Sequence, residues 1–500
     1  MNWFAKNVLL LNLVVLIGAL AWIHGGTRPD WLLLVIPWLT LPVLEWLLVY
    51  PQVKKNETLL DARRRVWRGL ACDPLTYLGV LFTVMLIIPL FNVAEAPQVV
   101  VESGEWVKPL PPVPWLPFCT DPSMHGLLPL WFIPAMITVL AAKHGLLKKG
   151  KRVLLEVICW NGGALAVLGF IQLWSGTDSI FWMTPMPAYF FSTFGYPNFA
   201  GAFFTLTFAV SFGIWFQQMT EASELFSENL QAMLEPPSKL QSNRMLLPTA
   251  LCLAAAVTTL SRAAILLCAV LVVVFLLYAL FYTWKRMPVG LRVVVLSSIG
   301  GVLFAATALF FAFKLEELKE EISTITVEAV TERVTGTGKG YYHTRVAKEI
   351  WNDYPVYGVG GLGYRAYLLA YITPEEEDRL QTIGGVNVHN DSLQFLAEQG
   401  VVGFGLMVMF ALTLFGGMAW QVFAFCRAKR ALARSRKLSP RGWIYLIPPP
   451  TVAVWAGTTA TVCHSFGDLP FRSPAVLAVW LLAFVCAVGW VPVIIKHSPK

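Results

Sequence analysis

Charge is scarce in this 500-residue chain. Asp, Glu, Lys and Arg make up 14% of it, against about 25% in an average soluble domain. Hydrophobic residues reach 56%, and mean hydropathy is +0.61. That balance excludes an ordinary soluble enzyme and points to an integral membrane protein. Metal-site patterns are missing too. The eight cysteines are scattered without a CxxC, and no DxD pair or His/Cys cluster is present, so no metal or cofactor is expected. Only Cys119 and Cys463 fall on the outward side, and unpaired buried thiols are expected rather than a disulfide. Mid-span charges are also absent. Glu45 and Glu156 lie toward the inner ends of their apolar runs, where a side chain reaches for headgroups, so a proton- or ion-coupled transporter lacks its usual relay. No internal repeat or low-complexity tract occurs. The first apolar run has Lys6 ahead of it, but "WIHGGTRPDW" offers no small-residue cleavage site, which predicts an uncleaved anchor.

What is abundant is long apolar sequence. A helical span needs roughly 20 mostly apolar residues. Twelve stretches qualify, near 7–24, 31–50, 74–94, 126–146, 153–173, 198–219, 245–260, 263–283, 293–313, 401–424, 443–462 and 475–495. None alternates as a barrel strand would. The reading is an all-α polytopic membrane protein of about 12 transmembrane helices. Residues 1–313 hold the first nine, 314–400 form a large, partly helical outer loop, and 401–500 hold the last three. With both termini inside, the inner segments carry 26 of the 38 Lys and Arg residues; eight of the remaining 12 lie in the loop 314–400. Long loops cross regardless of charge, so the bias fixes the orientation. The net charge of +8 is then a topology signal, and no nucleic-acid partner is implied.

The outer loops differ in character. Residues 95–125 are proline-rich and expected to lie extended over the membrane surface. The inner loop 220–244 reads as a connector. In 314–400, "KLEELKEEISTITVEAVTERV" suits a helix leaving the bilayer. "YYHTRVAKEIWNDYP" predicts a helix with Val346, Ile350 and Trp351 on one side and Pro355 as its stop. Loops this long are usually functional or disordered. This one has 14 acidic residues against eight basic, so a basic residue beside a ligand here is a local choice.

Polar groups that could act gather at the outer ends of the spans. "TTLSRAAILL" places Ser261 and Arg262 in a tight turn between two apolar runs. Arg262 can snorkel to the interface or bind an anion, and at a helix start the dipole does not favour its charge. "GVGGLGYR" has a formal GxGxxG in Gly358, Gly360 and Gly363 but no βαβ frame; a tight turn is the plainer reading, a phosphate-binding nest the other. In "VHNDSLQFLAEQGVVG", Asp391 and Gln394 have capping-box spacing, so a helix should start near Asn390 or Asp391. His389 would then precede a helix N-terminus, where the dipole disfavours imidazolium and free N–H groups suit a phosphate oxygen. Alone, His389 reads equally as a cap or a base. "CHSFGDLPFRSP" brings His464, Asp468 and Arg472 into one turn, where an Asp468–Arg472 surface pair is expected.

"FSTFGYPNFAGAF" (191–203), "LSRAAILL" (260–267), "RVAKEIWNDYPVYGVGGLGY" (345–364), "HNDSLQFLAEQGVVG" (389–403) and "HSFGDLPFRSPA" (464–475) occur in an order that resembles the O-antigen ligase and polymerase family. Each motif is weak; the ordered set, over about 191–475, is specific. The resemblance implies a fold similar to type C glycosyltransferases, with a large periplasmic loop between late spans of a bacterial inner-membrane protein. It implies a donor glycan on undecaprenyl pyrophosphate and an acceptor that is lipid A–core or another glycan, used without metal. Polymerization of lipid-linked repeat units is the alternative; a lipid-linked glycan transporter or a protein O-oligosaccharyltransferase comes after it. Carried over by position, Arg262 and Arg345 hold the donor pyrophosphate and His389 takes the acceptor's proton. Asn390 and Asp391 orient or cap, and Arg365 and Arg472 touch phosphate or sugar.

Overall fold

The structure is a computed structural model describing residues 3–27, 40–45, 50–99, 106–108, 110–186, 189–228, 244–286, 289–290, 292–293, 295–304, 308, 326, 331, 342–377, 387–435 and 447–487. It is all-α apart from two small hairpins. Helices α1 (Trp3–Trp22), α2 (Leu59–Ala71), α3 (Pro74–Ile87), α4 (Leu127–Leu140), α5 (Lys148–Ser175) and α6 (Pro197–Glu228) precede α7 (Leu246–Thr258) and α8 (Arg262–Arg286). After them come α9 (Tyr342–Asp353), α10 (Asp391–Ser435), α11 (Pro449–Ser465) and α12 (Pro474–Ala487). Among the described residues six helical segments are long and apolar enough to cross a membrane, within Pro74–Phe91, Pro122–Gly145, Lys148–Ser175, Pro197–Thr220, Arg262–Trp284 and Asp391–Arg427. Shorter apolar helices run over Asn7–Trp22, Leu246–Thr258, Val295–Phe304 and Pro474–Ala487. This is a multi-pass membrane protein. Of the expected span 31–50, a helix is described only over 40–45, and the helix expected from 314 onward lies outside the described residues.

Local chemistry sets the ends of these elements. Asp73 caps α3 by accepting from Leu75 N, with Pro74 at the first helical position. Thr58 caps α2 in the same way through Asp61 N. Gly176, at φ 65°, closes α5 in the left-handed conformation that glycine adopts without strain.

Helix α6 is the hub: 94% of its spanning window is buried. It packs against α11, α7, α5 and α8. Small residues allow the close crossings. A methyl group on Gly213 would stand 2.6 Å from Ala453 Cβ, and one on Gly457 would stand 2.5 Å from Ala209 Cβ, so α6 and α11 touch nearly backbone to backbone. On the α8 side, Phe212 stacks on Phe275 at 4.5 Å, and Phe216 meets Tyr278 and Tyr282 edge-on.

A second, separate core holds together residues from 346 to 397. Val346, Ala347 and Ile350 of α9 join Val359, Tyr364, Tyr367, Leu368, Val388 and Ala397. The proline-rich loop is not simply extended. Gln98–Val99 (β1) pairs antiparallel with Trp106–Val107 (β2), and Lys108 bonds Asp353 at 2.6 Å while covering the Tyr371 ring. The loop thus clamps the 342–377 segment instead of lying flat.

Candidate functional site

Helix α10 breaks at Gly400, whose φ of 61° and ψ of −170° is glycine-only backbone. The break lets Val401 N and Val402 N bond Pro355 O and Val356 O. Against the same break, Val359 N and Gly360 N bond Ala397 O and Glu398 O. The glycine-rich stretch is therefore a turn locked onto α10. Gly358 N, Gly361 N and Gly363 N are also spent, on Tyr354 O, His125 Nδ1 and Gly360 O. A phosphate nest needs those donors free, so that reading is set aside.

The segment before the break carries the predicted cluster. Asn390, not Asp391, is the N-cap: its Oδ1 accepts from Leu393 N at 3.0 Å. Gln394, one residue past the N3 position, reaches back to accept from Val388 N at 3.0 Å, so the expected capping box is not formed and Gln394 ties down the residue before His389 instead. His389 sits between these bonds at φ 52°, the left-handed region, which turns its ring out of the path of the helix. The side chain is 38% exposed, and Nδ1 lies 3.7 Å from Asp468 Oδ1 and 3.5 Å from Tyr196 Oη. Nδ1 faces protein, which leaves Nε2 for a substrate.

Asp468 is the buried partner. It is 1% exposed and accepts from the Tyr196 hydroxyl at 2.9 and 3.0 Å, from Asn198 Nδ2, and from Leu469 N at 2.8 Å. Its carbonyl accepts from Asp391 N, and Asp391 Oδ2 accepts from Phe471 N. The 468–472 turn is thereby cross-bonded to the start of α10. The expected Asp468–Arg472 surface pair is not formed. Arg472 instead donates to Glu398, 2% exposed, at 3.1 and 3.2 Å, and stands 3.9 Å from Asp391. The reason is burial: Asp468 is met by neutral donors at and just before the start of α6 and from Leu469 N, and the guanidinium pairs with the buried acid on α10.

Arg262 begins α8 directly after Leu260, at φ 57°, and Ser261, whose Oγ caps Ala264 N. The predicted tight turn is there, pressed on α6: a methyl on Gly201 would meet Ala264 Cβ at 2.7 Å and Ser261 Cβ at 2.8 Å. Gly201 lies about one helical turn beyond Asn198, so the Arg262 turn and the Asp468 cluster share one end of α6. Arg345 is engaged already. It donates to Glu349, to Glu376 at 2.7 Å and to Tyr371 O. Arg365 faces solvent, with Nη2 3.4 Å from Asn387 Oδ1. Glu156 is held by Arg244 at 2.6 Å instead of reaching out alone. All eight cysteines are free thiols, Cys119 and Cys463 included. No group of three or more His, Cys, Asp or Glu able to hold a metal occurs among the described residues.

Sequence reasoning did not single out Tyr196, Asn198 or Glu398, and misjudged Asp468. Tyr196 and Asn198 flank Pro197 at the start of an apolar run, inside the quoted stretch 191–203, and that position is the signal that could have marked them.

Residues 247–408 match the O-antigen ligase family model. That stretch, about a third of the chain, is similar to an O-antigen ligase domain. The matched stretch includes Arg262, Arg345, Arg365, His389, Asn390 and Asp391. It leaves out Tyr196, Asn198, Asp468 and Arg472, which complete the surroundings of His389. Members of this family, ligases and polymerases, transfer lipid-linked glycans. A search of curated proteins finds no match.

Proposed function

We propose that this chain is an O-antigen ligase-like glycosyltransferase of the bacterial inner membrane. It moves a glycan from undecaprenyl pyrophosphate to a hydroxyl of lipid A–core on the periplasmic face. The observation that carries this reading is the pairing of His389, inside the O-antigen ligase domain, with the buried Asp468 carboxylate. A partly exposed base with a carboxylate behind its Nδ1 suits proton abstraction through its second nitrogen.

In the proposed reaction, Nε2 of His389 takes the proton of the acceptor hydroxyl. That oxygen attacks the anomeric carbon, and the bond from that carbon to the pyrophosphate oxygen breaks with inversion. Asp468 offsets the charge arising on the imidazole. Arg262 and Arg345 bind the departing pyrophosphate, using forked donors and permanent charge, so no metal is required. The donor must displace Glu376 from Arg345, an exchange of one anion for another. Asn390 caps α10 and thereby fixes His389, Asp391 ties that cap to the 468–472 turn, and Arg472 and Arg365 line the adjoining wall. The proposal includes about twelve spans divided at 314 and 401, resting on the apolar runs, a type C-like arrangement, resting on the resemblance, and an outward-facing site, resting on the charge bias.

The test is a purified His389→Ala variant. Loss of transfer with unchanged expression and membrane insertion supports the base assignment, and near-normal transfer removes it. Transfer by wild type to a second lipid-linked repeat unit in place of lipid A–core would convert the reading to polymerase.

A further inference from the structure

His343 is a second imidazole beside His389, and the proposed reaction does not use it. It lies in the first turn of α9, one turn before Val346 and Ala347, which share a core with Val388, the residue preceding His389. Helix α9 packs against α10. Two contacts hold the ring, and a third holds its backbone. Tyr342 packs on it, tilted by 31° at 4.2 Å between ring centres, and Nδ1 stands 2.8 Å from the hydroxyl of Tyr364. That hydroxyl also reaches the carbonyl of His343 at 3.3 Å. Tyr364 is fully buried.

A phenol has a single proton, so both contacts of the Tyr364 oxygen form together in only one arrangement. Nδ1–H of His343 donates to the phenol oxygen, and the phenol donates to the His343 carbonyl. The tautomer is then fixed with Nε2 unprotonated. Among the described residues Nε2 has no protein partner. Burial first, then the nearby His389, brings the pKa of this imidazole down to about 4, with Glu376 acting the other way. The ring is therefore neutral at working pH, and a helix N-terminus supports that.

We propose that His343 is a positioning residue of the glycan site: its bare Nε2 accepts a hydrogen bond from a second hydroxyl of the acceptor sugar whose first hydroxyl faces His389. This rests on the reading of His389 given above. A site that accepts from a sugar hydroxyl rejects a sugar lacking it, so His343 would set acceptor preference.

The experiment has two arms. The first is nitrogen-15 NMR of histidine-labelled full-length protein in nanodiscs at pH 7, assigned with His343→Phe. An unprotonated Nε2 that becomes mixed in Tyr364→Phe is expected; a protonated Nε2 in wild type overturns the proposal whatever the activity. The second measures transfer to lipid A–core. His343→Phe should raise KM for that acceptor about tenfold with kcat within threefold, and His343→Gln, which restores an acceptor near Nε2, should recover most of it. An unchanged KM in His343→Phe, or a loss confined to kcat, overturns the proposal. If wild type transfers nothing to lipid A–core, the ligase reading fails while the NMR arm still decides the tautomer.

Discussion

Replacing Asp468 with Asn tests how His389 is supported. The variant keeps the shape of the side chain and removes its charge. In the wild type a carboxylate oxygen lies 3.7 Å from Nδ1 of His389. When His389 takes a proton, two unit charges at that separation attract by about 4.5 kcal/mol at an effective dielectric of 20, and by about 1 kcal/mol in bulk water. The His389 side chain is 38% exposed, so screening pulls the value toward the lower end, and about 2 kcal/mol is a reasonable figure. That corresponds to a roughly 30-fold fall in kcat. Stability must be followed in parallel, because Asp468 accepts from Tyr196, Asn198 and Leu469 N. An amide would turn one NH2 toward those donors, costing about 1–3 kcal/mol. Tyr196→Phe separates the two effects, since it removes one hydrogen bond and leaves the charge. The assay is single-turnover transfer in nanodiscs beside a thermal melt. A folded Asp468→Asn variant within twofold of wild-type kcat would refute the carboxylate's role.

Three further outcomes are expected. Glu376→Gln should release Arg345 from its 2.7 Å partner and lower the KM for the lipid-linked donor about threefold to fivefold; a raised KM would show that Glu376 shapes Arg345 for binding. Gly400→Ala should destabilise by more than about 2 kcal/mol, read as a lowered melting temperature. Its backbone is glycine-only, and a Cβ would stand 2.3 Å from Val356 C and O. Acid should loosen the contact between the α2–α3 corner and the end of α4. Burial raises the pKa of Asp73, but hydrogen bonds from His144 and Lys143 outweigh it and bring it to about 2. The stability this lends is complete above about pH 4, where the unfolded carboxylate is ionised, and is lost as pH falls toward 2. Asp73→Asn should abolish that part of an acid-unfolding curve monitored by hydrogen exchange around Lys143.

The apolar runs were legible because a bilayer demands them, and α9 and the start of α10 were legible because caps and a 3.6-residue period are local. The tight turn at Ser261–Arg262 followed from polar residues wedged between two apolar runs. What pattern could not supply was pairing over distance. Asp468 and Arg472, four residues apart, suggested one surface pair. Their real partners come from α6 and α10, more than 70 residues away in sequence. Arg345 read as an open cation because its acidic partners, Glu349 and Glu376, looked like loop background. The glycine-rich stretch suggested phosphate because glycine signals only permissive backbone; the carbonyls of α10 that use its N–H groups are visible only in three dimensions.

The central claim is transfer from a lipid pyrophosphate with His389 as base. The most direct measurement pairs wild type with His389→Ala in nanodiscs containing the undecaprenyl-pyrophosphate glycan and lipid A–core, following product glycolipid and released undecaprenyl pyrophosphate together. Equal amounts of both are predicted from wild type, and neither from the variant. Equal yields from the two proteins, or glycan arriving on lipid A–core without release of undecaprenyl pyrophosphate, would contradict the account.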